Sequence, residues 1–119
     1  MKARAILLAA IAVGMLSAAN GATSRPLTAI EYGGDLKRLC QADSKSGEYA
    51  MCFSFVGAVL EVVYNQPIYG FQTCVPRLTT VDRALELIRE WQQKHPETDT
   101  KPASYVIAEA LNSAFPCKQ

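Results

Sequence analysis

Four cysteines carry the most distinctive potential chemistry in this 119-residue chain: Cys40, Cys52, Cys74 and Cys117. Their thiols could bind a metal, act as nucleophiles or form disulfides. The gaps between them are 11, 21 and 42 residues and contain no C-x-x-C pair, which argues against a zinc site. In a small exported domain, an even number of cysteines indicates a disulfide framework. Cys117 would then tie down a chain end that would otherwise fray.

Two other residues are candidates for acid–base chemistry. His95, in K-H-P-E, could be a general base, or a residue favoured by the dipole at a helix C-terminus. Glu61 could be a proton donor, or could face solvent at a helix edge or bond to Arg83 or Tyr64. The serines lack a G-x-S-x-G context, and neither phosphate-binding glycine motif occurs. These patterns predict no enzyme, no cofactor and no metal site.

A third candidate site is the segment 66–78, QPIYGFQTCVPRL, which prolines and a glycine mark as a loop. It carries three large apolar residues, Ile68, Tyr69 and Phe71. Such residues either fold back as a lid over the core or stay exposed as interface anchors. The sequence leaves both roles open, and these three residues are the predicted partner-binding residues.

The first 21 residues have the layout of a secretory signal peptide. Lys2 and Arg4 precede an apolar run over 5–19, and small residues follow. Cleavage after Gly21 is favoured, with cleavage after Ala22 as the alternative. An uncleaved membrane anchor is the competing interpretation, but the run is shorter than the roughly 20 residues that span a bilayer.

Removal of 1–21 leaves residues 22–119, which is 119 − 21 = 98 residues and one small domain. Lys+Arg falls from 12 to 10 against 11 Asp+Glu, so the formal charge becomes −1. A nucleic-acid-binding protein would need a basic patch, and none is evident. We therefore expect a periplasmic protein that binds neither nucleic acid nor, after signal cleavage, the membrane.

Apolar periodicity predicts two helices in the first half of the mature chain. Thr28 and Glu31 match a capping box for a helix to about Ala42, interrupted or weakened at Gly33-Gly34. The second helix covers 49–65. Because it is apolar nearly all round, it is predicted to be the central and most buried element. Its length and Glu61 argue against a membrane span.

Two further helices are predicted in the second half. The third begins at Thr79. Its apolar face comprises Val81, Ala84, Leu85, Ile88 and Trp91, and its solvated side comprises Arg83, Glu86, Arg89, Glu90 and Lys94. The segment 94–102 breaks it. Thr100 or Asp99 would cap the fourth helix, with Pro102 in its first turn and Pro116 after its end. Its predicted inward residues are Val106, Ile107, Ala110, Leu111, Ala114 and Phe115.

The predicted fold is therefore all-α, a small four-helix domain stapled by two disulfides. Short turns make antiparallel hairpins of the first and last helix pairs. Cys40 and Cys52 lie at equal distances from residue 46, while Cys74 precedes the third helix and Cys117 follows the fourth. This placement favours Cys40–Cys52 and Cys74–Cys117, although sequence alone allows three pairings.

Several stretches together resemble a known family. They are C-F-S-F-V-G-A-V-L-E, F-Q-T-C-V-P, T-T-V-D-R-A-L, W-Q-Q-K-H-P-E and A-E-A-L-N-S-A-F-P-C. The chain resembles, over about 36–117, the Rap/Tai family of periplasmic proteins that protect bacteria from peptidoglycan amidases delivered by type VI secretion. The resemblance implies a small helical fold, two intramolecular disulfides, frequent homodimers and no catalysis. It also implies a cognate amidase whose cleft the protein plugs.

Three functions are consistent with these observations. The favoured one is a periplasmic immunity protein that inhibits a peptidoglycan amidase. The alternative is a periplasmic helical protein with a structural or stress-chaperone role, which would expose apolar surface on acidification. A small enzyme would need a spare nucleophile or a metal site.

Overall fold

The computed structural model describes residues 30–118, so the predicted signal peptide and the proposed Thr28 cap lie outside the described part. The described part has four α-helices joined by turns and one short 3₁₀ helix. They are α1 (Gly33–Cys40), α2 (Gly47–Asn65), α3 (Val81–Lys94), the 3₁₀ helix (Pro96–Thr100) and α4 (Ala103–Ala114). The predicted all-α, four-helix class is confirmed. As expected for two hairpins, α1 packs against α2 and α3 against α4.

The first helix begins later than the sequence pattern suggests. Asp35, in the first turn, stabilises the chain that enters the helix. Its Oδ2 accepts hydrogen bonds from the N–H groups of Tyr32 (3.1 Å) and Glu31 (3.3 Å). Gly33 starts the helix and is buried against the 3₁₀ helix, where a Cβ would lie 2.1 Å from the carbonyl oxygen of Thr98. The helix thus begins at the glycine pair, where close packing requires a residue without a Cβ at Gly33.

The second helix is buried on one face only. Ser46 caps it, with its Oγ accepting a hydrogen bond from the Tyr49 N–H at 3.1 Å. One stripe faces the core and comprises Cys52, Val56, Leu60 and Val63. Large apolar residues on other faces of the helix are exposed, among them Met51, Phe53 and Val62. The prediction that this helix is the most buried element is wrong. Its apolar residues lie on all sides of the helix, and only those on one side are buried in the core.

The apolar composition of α2 also bears on whether this helix could span a membrane. By length and composition alone, α2 is long and apolar enough to cross a bilayer, so its length does not argue against a span. Its inward stripe nevertheless packs into the core shared with α1, α3 and α4. One face of α2 therefore belongs to the core of the domain, while its other faces stay largely exposed.

The third helix follows its predicted pattern closely. It starts at Val81, two residues after the predicted Thr79, because Thr80 is the cap and its Oγ accepts from the Arg83 N–H at 3.2 Å. The centre of the predicted inward face, Ala84, Leu85 and Ile88, is buried, and its two ends are half-buried. The predicted solvent side is exposed throughout: Arg83, Glu86, Arg89, Glu90 and Lys94.

The start of α4 differs from the prediction. The helix begins at Ala103, so Pro102 is its N-cap, and neither Thr100 nor Asp99 caps it. The Ala103 N–H donates instead to the carbonyl of Glu31 at 2.9 Å, since the chain before α1 lies beside this end. The predicted inward residues Val106, Ile107, Ala110 and Leu111 are all buried, whereas Ala114 is exposed and Phe115 is half-buried.

Two disulfides staple the domain, with the connectivity that helix placement favours. Cys40–Cys52 links the end of α1 to α2, with the Cα atoms 5.2 Å apart. Cys74–Cys117 links the segment before α3 to the chain after α4, with the Cα atoms 4.9 Å apart. The four cysteines are all paired, so none is a free nucleophile.

Candidate partner-binding surface

A tight turn lies at the centre of the loop between α2 and α3. The Phe71 N–H donates to the carbonyl of Ile68 at 2.9 Å, which closes the turn. Both central residues have positive φ, 52° at Tyr69 and 78° at Gly70, the combination of a type I′ turn. Glycine adopts this conformation freely, whereas a bulky residue such as tyrosine is a genuine outlier there. The loop therefore holds Tyr69 in a strained conformation.

The strained residue is also the most solvent-accessible of the three predicted partner-binding residues. Tyr69 is 53% exposed, so more than half of its surface is free to contact another molecule. Its orientation is nevertheless fixed, since its Oη lies 2.5 Å from Ser104 Oγ on α4. Its ring also stands edge-on to Tyr105, with the centroids 5.3 Å apart. The side chain is presented to solvent in a defined position.

Ile68 and Phe71 lie at the two ends of the turn, on either side of the exposed Tyr69. Both are half-buried, and Ile68 packs against the hydrophobic core. Phe71 packs against Tyr105, with the ring centroids 5.6 Å apart. The three predicted residues are thus brought together at one end of α4. Ile68 has the position of a lid, Phe71 packs on Tyr105, and Tyr69 has the position of an exposed anchor.

The remainder of the loop is firmly attached to the helices. The Cys74 N–H donates to the carbonyl of Phe115 at 2.9 Å, beside the Cys74–Cys117 disulfide. At the other side, Tyr64 Oη donates to the carbonyl oxygens of Pro76 (3.1 Å) and Thr79 (3.0 Å) as alternative acceptors. The turn therefore projects from a rigid base.

A surface groove of about 470 Å³ runs between this turn and α2. We call it the apolar groove. Its walls are Phe55, Ala58, Val59, Val62, Ile68, Tyr69 and Ser104. None of these residues is charged, and only the serine and tyrosine hydroxyls are polar. Such a surface favours an apolar partner segment, because no buried charge would have to be desolvated.

The wall formed by α2 is the part of the site that the sequence prediction missed. Its outward stripe repeats at helical spacing over Met51, Phe55, Ala58 and Val62, beside the inward stripe of the same helix. A signal was present in the sequence, since Tyr49–Leu60 contains no charged residue although a surface helix normally has a charged face. The pattern was consistent with a second interface as well as with complete burial.

The two candidate acid–base residues lie outside the apolar groove. His95 ends α3 and stacks on Trp91, with the ring centroids 3.7 Å apart, and its Nδ1 is 3.3 Å from Glu97 Oε1. Glu61 is exposed on α2, as expected for a helix edge facing solvent. Among residues 30–118, no group of three His, Cys, Asp or Glu side chains is arranged to bind a metal.

One ion pair lies beside the aromatic residues of the loop. Lys101 Nζ donates to Glu109 Oε1 at 3.1 Å and Oε2 at 3.4 Å. This hydrogen bond to Glu109 raises the pKa of the Lys101 ammonium, so the lysine carries its charge throughout the physiological range. Lys101 Nζ also lies 5.1 Å from the centroid of the Tyr105 ring.

The stapled helices, the uncharged groove and the exposed Tyr69 thus give this small helical domain one candidate binding surface. The sequence profile of the Rap1a immunity proteins matches residues 32–117, which is most of the chain. The chain belongs to this family. No curated protein and no solved structure matches it significantly.

Proposed function

We propose that this chain is a periplasmic immunity protein that inhibits a peptidoglycan amidase effector of a type VI secretion system. Inhibition would occur by occlusion of the active-site cleft of the amidase. Membership of the Rap1a immunity family supports the immunity role. The observation that supports the binding mode is the exposed Tyr69, held on a strained turn beside the uncharged groove.

The geometry of the turn suits insertion into a cleft. Binding energy at interfaces concentrates in a few large side chains, with tyrosine among the most frequent. Tyr69 is already oriented by Ser104 and Tyr105, so the partner would order little on binding. The apolar groove would then bury the rim of the cleft against α2. Occlusion of this kind requires shape and rigidity from the inhibitor but no catalytic group.

The proposal is tested with a peptidoglycan amidase effector that the parent protein binds in a pull-down from periplasm. Combined replacement of Tyr69 and Phe71 by Ala should weaken inhibition by about 2 kcal/mol or more, the threshold of an interface hot spot. Circular dichroism and thermal unfolding report the fold separately. Full inhibition by a folded double variant would contradict the assignment of the loop as the binding site.

A second copy of this chain is the competing occupant of the groove. Light scattering coupled to gel filtration, with and without the amidase, distinguishes the two cases. If the protein is a dimer whose groove is covered, the amidase must displace one copy or bind elsewhere. A monomer, or a dimer that still binds amidase through Tyr69, supports the proposed docking face.

Export is part of the proposal and rests on the sequence of the first 21 residues. Intact protein from the periplasm should have the mass of residues 22–119, or of 23–119 for the alternative cleavage site. Two disulfides lower that mass by four hydrogens relative to the reduced chain. Recovery of the uncleaved chain from the membrane fraction would contradict the periplasmic assignment.

A further inference from the structure

The ring of Tyr105 packs against the turn, and we call it the Tyr105 platform. Tyr105, in the first turn of α4, contacts the rings of both Tyr69 and Phe71, with centroid distances of 5.3 and 5.6 Å. Tyr105 is itself half-buried, so its ring is not fixed by the core alone. The orientation of the loop aromatics therefore depends on what holds Tyr105.

Tyr105 also contacts a small polar network. Lys101 Nζ lies 5.1 Å from the Tyr105 centroid, within the range of a cation–π contact. Glu109 holds that ammonium with both carboxylate oxygens, at 3.1 and 3.4 Å. The same carboxylate accepts a hydrogen bond from Trp91 Nε1 on α3 at 3.1 Å. The side chain of Glu109 is 19% exposed, so this ion pair is better shielded from water than the other ion pairs of the described residues.

We propose that Lys101 and Glu109 are positioning residues that fix the Tyr105 platform and thereby preorganise the Tyr69 turn for its partner. The inference rests on the proposed function, since it assigns these residues a role in the affinity of the same site. Each contact restricts the next group. The carboxylate fixes the ammonium, the ammonium fixes the ring, and the ring limits the movement of the two loop aromatics.

The consequence of breaking the network follows from its geometry. Without the charge on Glu109, Lys101 is free to extend into solvent, and Tyr105 loses the contact on that side. The loop then samples more conformations in the free protein, and a partner must restrict them again on binding. Loss of one immobilised side chain should weaken binding about fivefold, without a change in the contact surface itself.

The first test uses the protein alone and needs no partner. Lys101→Met and Glu109→Gln remove one charge each while keeping side-chain length, and Gln can still accept from Trp91. Hydrogen exchange at the Phe71 amide, which closes the turn, should accelerate about fivefold in both variants. The Cys74 amide, bonded to Phe115 at the loop base, should be unchanged. Equal acceleration at both amides would indicate general destabilisation and would overturn the proposal.

Two variants serve as matched controls. Lys101→Arg keeps the charge and can both pair with a carboxylate and stack on an aromatic ring, so it should exchange as the parent does. Glu86→Gln also breaks an ion pair, that with Arg83 at 2.8 Å, but leaves the residues around Tyr105 intact. Faster Phe71 exchange in Glu86→Gln, or no rescue by Lys101→Arg, would overturn the specific role of this network.

The second test measures inhibition of a peptidoglycan amidase effector that the parent protein binds. Lys101→Met and Glu109→Gln should each raise the inhibition constant about fivefold, with Lys101→Arg at the parent value. If exchange at the Phe71 amide accelerates as expected but the inhibition constant is unchanged, the inhibition constant of Tyr69→Ala decides the interpretation. Inhibition that is also insensitive to Tyr69→Ala would overturn the docking face while supporting the platform. Inhibition sensitive to Tyr69→Ala alone would overturn the effect of preorganisation on affinity.

Discussion

The Cα atoms of Cys74 and Cys117 lie 4.9 Å apart, and their disulfide joins the end of the α2–α3 loop to the chain after α4. A backbone hydrogen bond from the Cys74 N–H to Phe115 reinforces the same junction. The C-terminal segment and the base of the candidate binding loop are therefore one rigid unit. The disulfide encloses most of the second half of the domain, so it also restricts the unfolded chain strongly.

Replacement of Cys117 by Ser should lower the free energy of unfolding by about 2–5 kcal/mol, the usual effect of losing a native disulfide in a small secreted domain. Urea unfolding under non-reducing conditions measures this. Cys74→Ser is the matched control and should give a similar loss. Alkylation and peptide mapping of Cys117→Ser should find the free thiol at Cys74. A free thiol at Cys52 would contradict the connectivity.

Gly33→Ala should destabilise the fold by about 1–3 kcal/mol, the cost of overpacking a close contact. The added Cβ would lie 2.1 Å from the Thr98 carbonyl oxygen, and that atom belongs to the backbone of the 3₁₀ helix. Gly47→Ala is the control, because nothing lies within 4 Å of its Cβ position in the first turn of α2. Thermal unfolding should rank Gly33→Ala below the parent and Gly47→Ala at or above it. Equal stability of the two variants would contradict the packing argument.

Local patterns predicted the parts of the fold that obey simple periodicity. The inward and outward faces of α3 follow from spacing alone, and Val106, Ile107, Ala110 and Leu111 in α4 do so equally. The capping pattern at Thr28 and Glu31 predicted helix over 30–32, whereas α1 begins at Gly33. The observed start depends on a contact of Gly33 with Thr98, distant in sequence, and no local pattern contains that information.

The candidate site was only partly predictable for a similar reason. Large apolar residues in a Pro/Gly loop pointed to Ile68, Tyr69 and Phe71, and the structure places them together. Composition cannot distinguish a helix that is buried all round from one that keeps an apolar face for a partner, so the outward stripe of α2 was missed. The positive φ of Tyr69 could not be predicted from the sequence either, because tyrosine rarely adopts this conformation.

Val62→Lys tests the wall of the apolar groove formed by α2. Val62 is 40% exposed, so a lysine there can reach solvent and should change the unfolding free energy by only about 0.5 kcal/mol or less. Burial of that charge against a partner should weaken amidase inhibition by at least roughly tenfold. Leu78→Lys is the control, since Leu78 is 94% exposed and lies outside the groove. A larger effect of Leu78→Lys would place the interface on the later part of the loop.

Tyr69→Asn separates the stability of the turn from its binding role. Asn-Gly is the preferred central pair of a type I′ turn, so the substitution relieves the strain of the positive φ at this position. It also removes the contacts with Ser104 and Tyr105, and the two effects should leave the unfolding free energy within about 1 kcal/mol of the parent. Amidase inhibition should nevertheless weaken by about 2 kcal/mol, because the anchor ring is lost.

Tyr69→Phe is the matched variant for this prediction. It retains the ring and the strain but loses the hydrogen bond to Ser104, which should lower stability by about 0.5–1.5 kcal/mol while most of the inhibition remains. Urea unfolding and inhibition constants measured on the same preparations compare the two effects. If Tyr69→Phe inhibits as poorly as Tyr69→Asn, the hydroxyl group rather than the ring makes the decisive contact. If Tyr69→Asn inhibits as well as the parent, Tyr69 is not an anchor, and its conformation serves the fold alone.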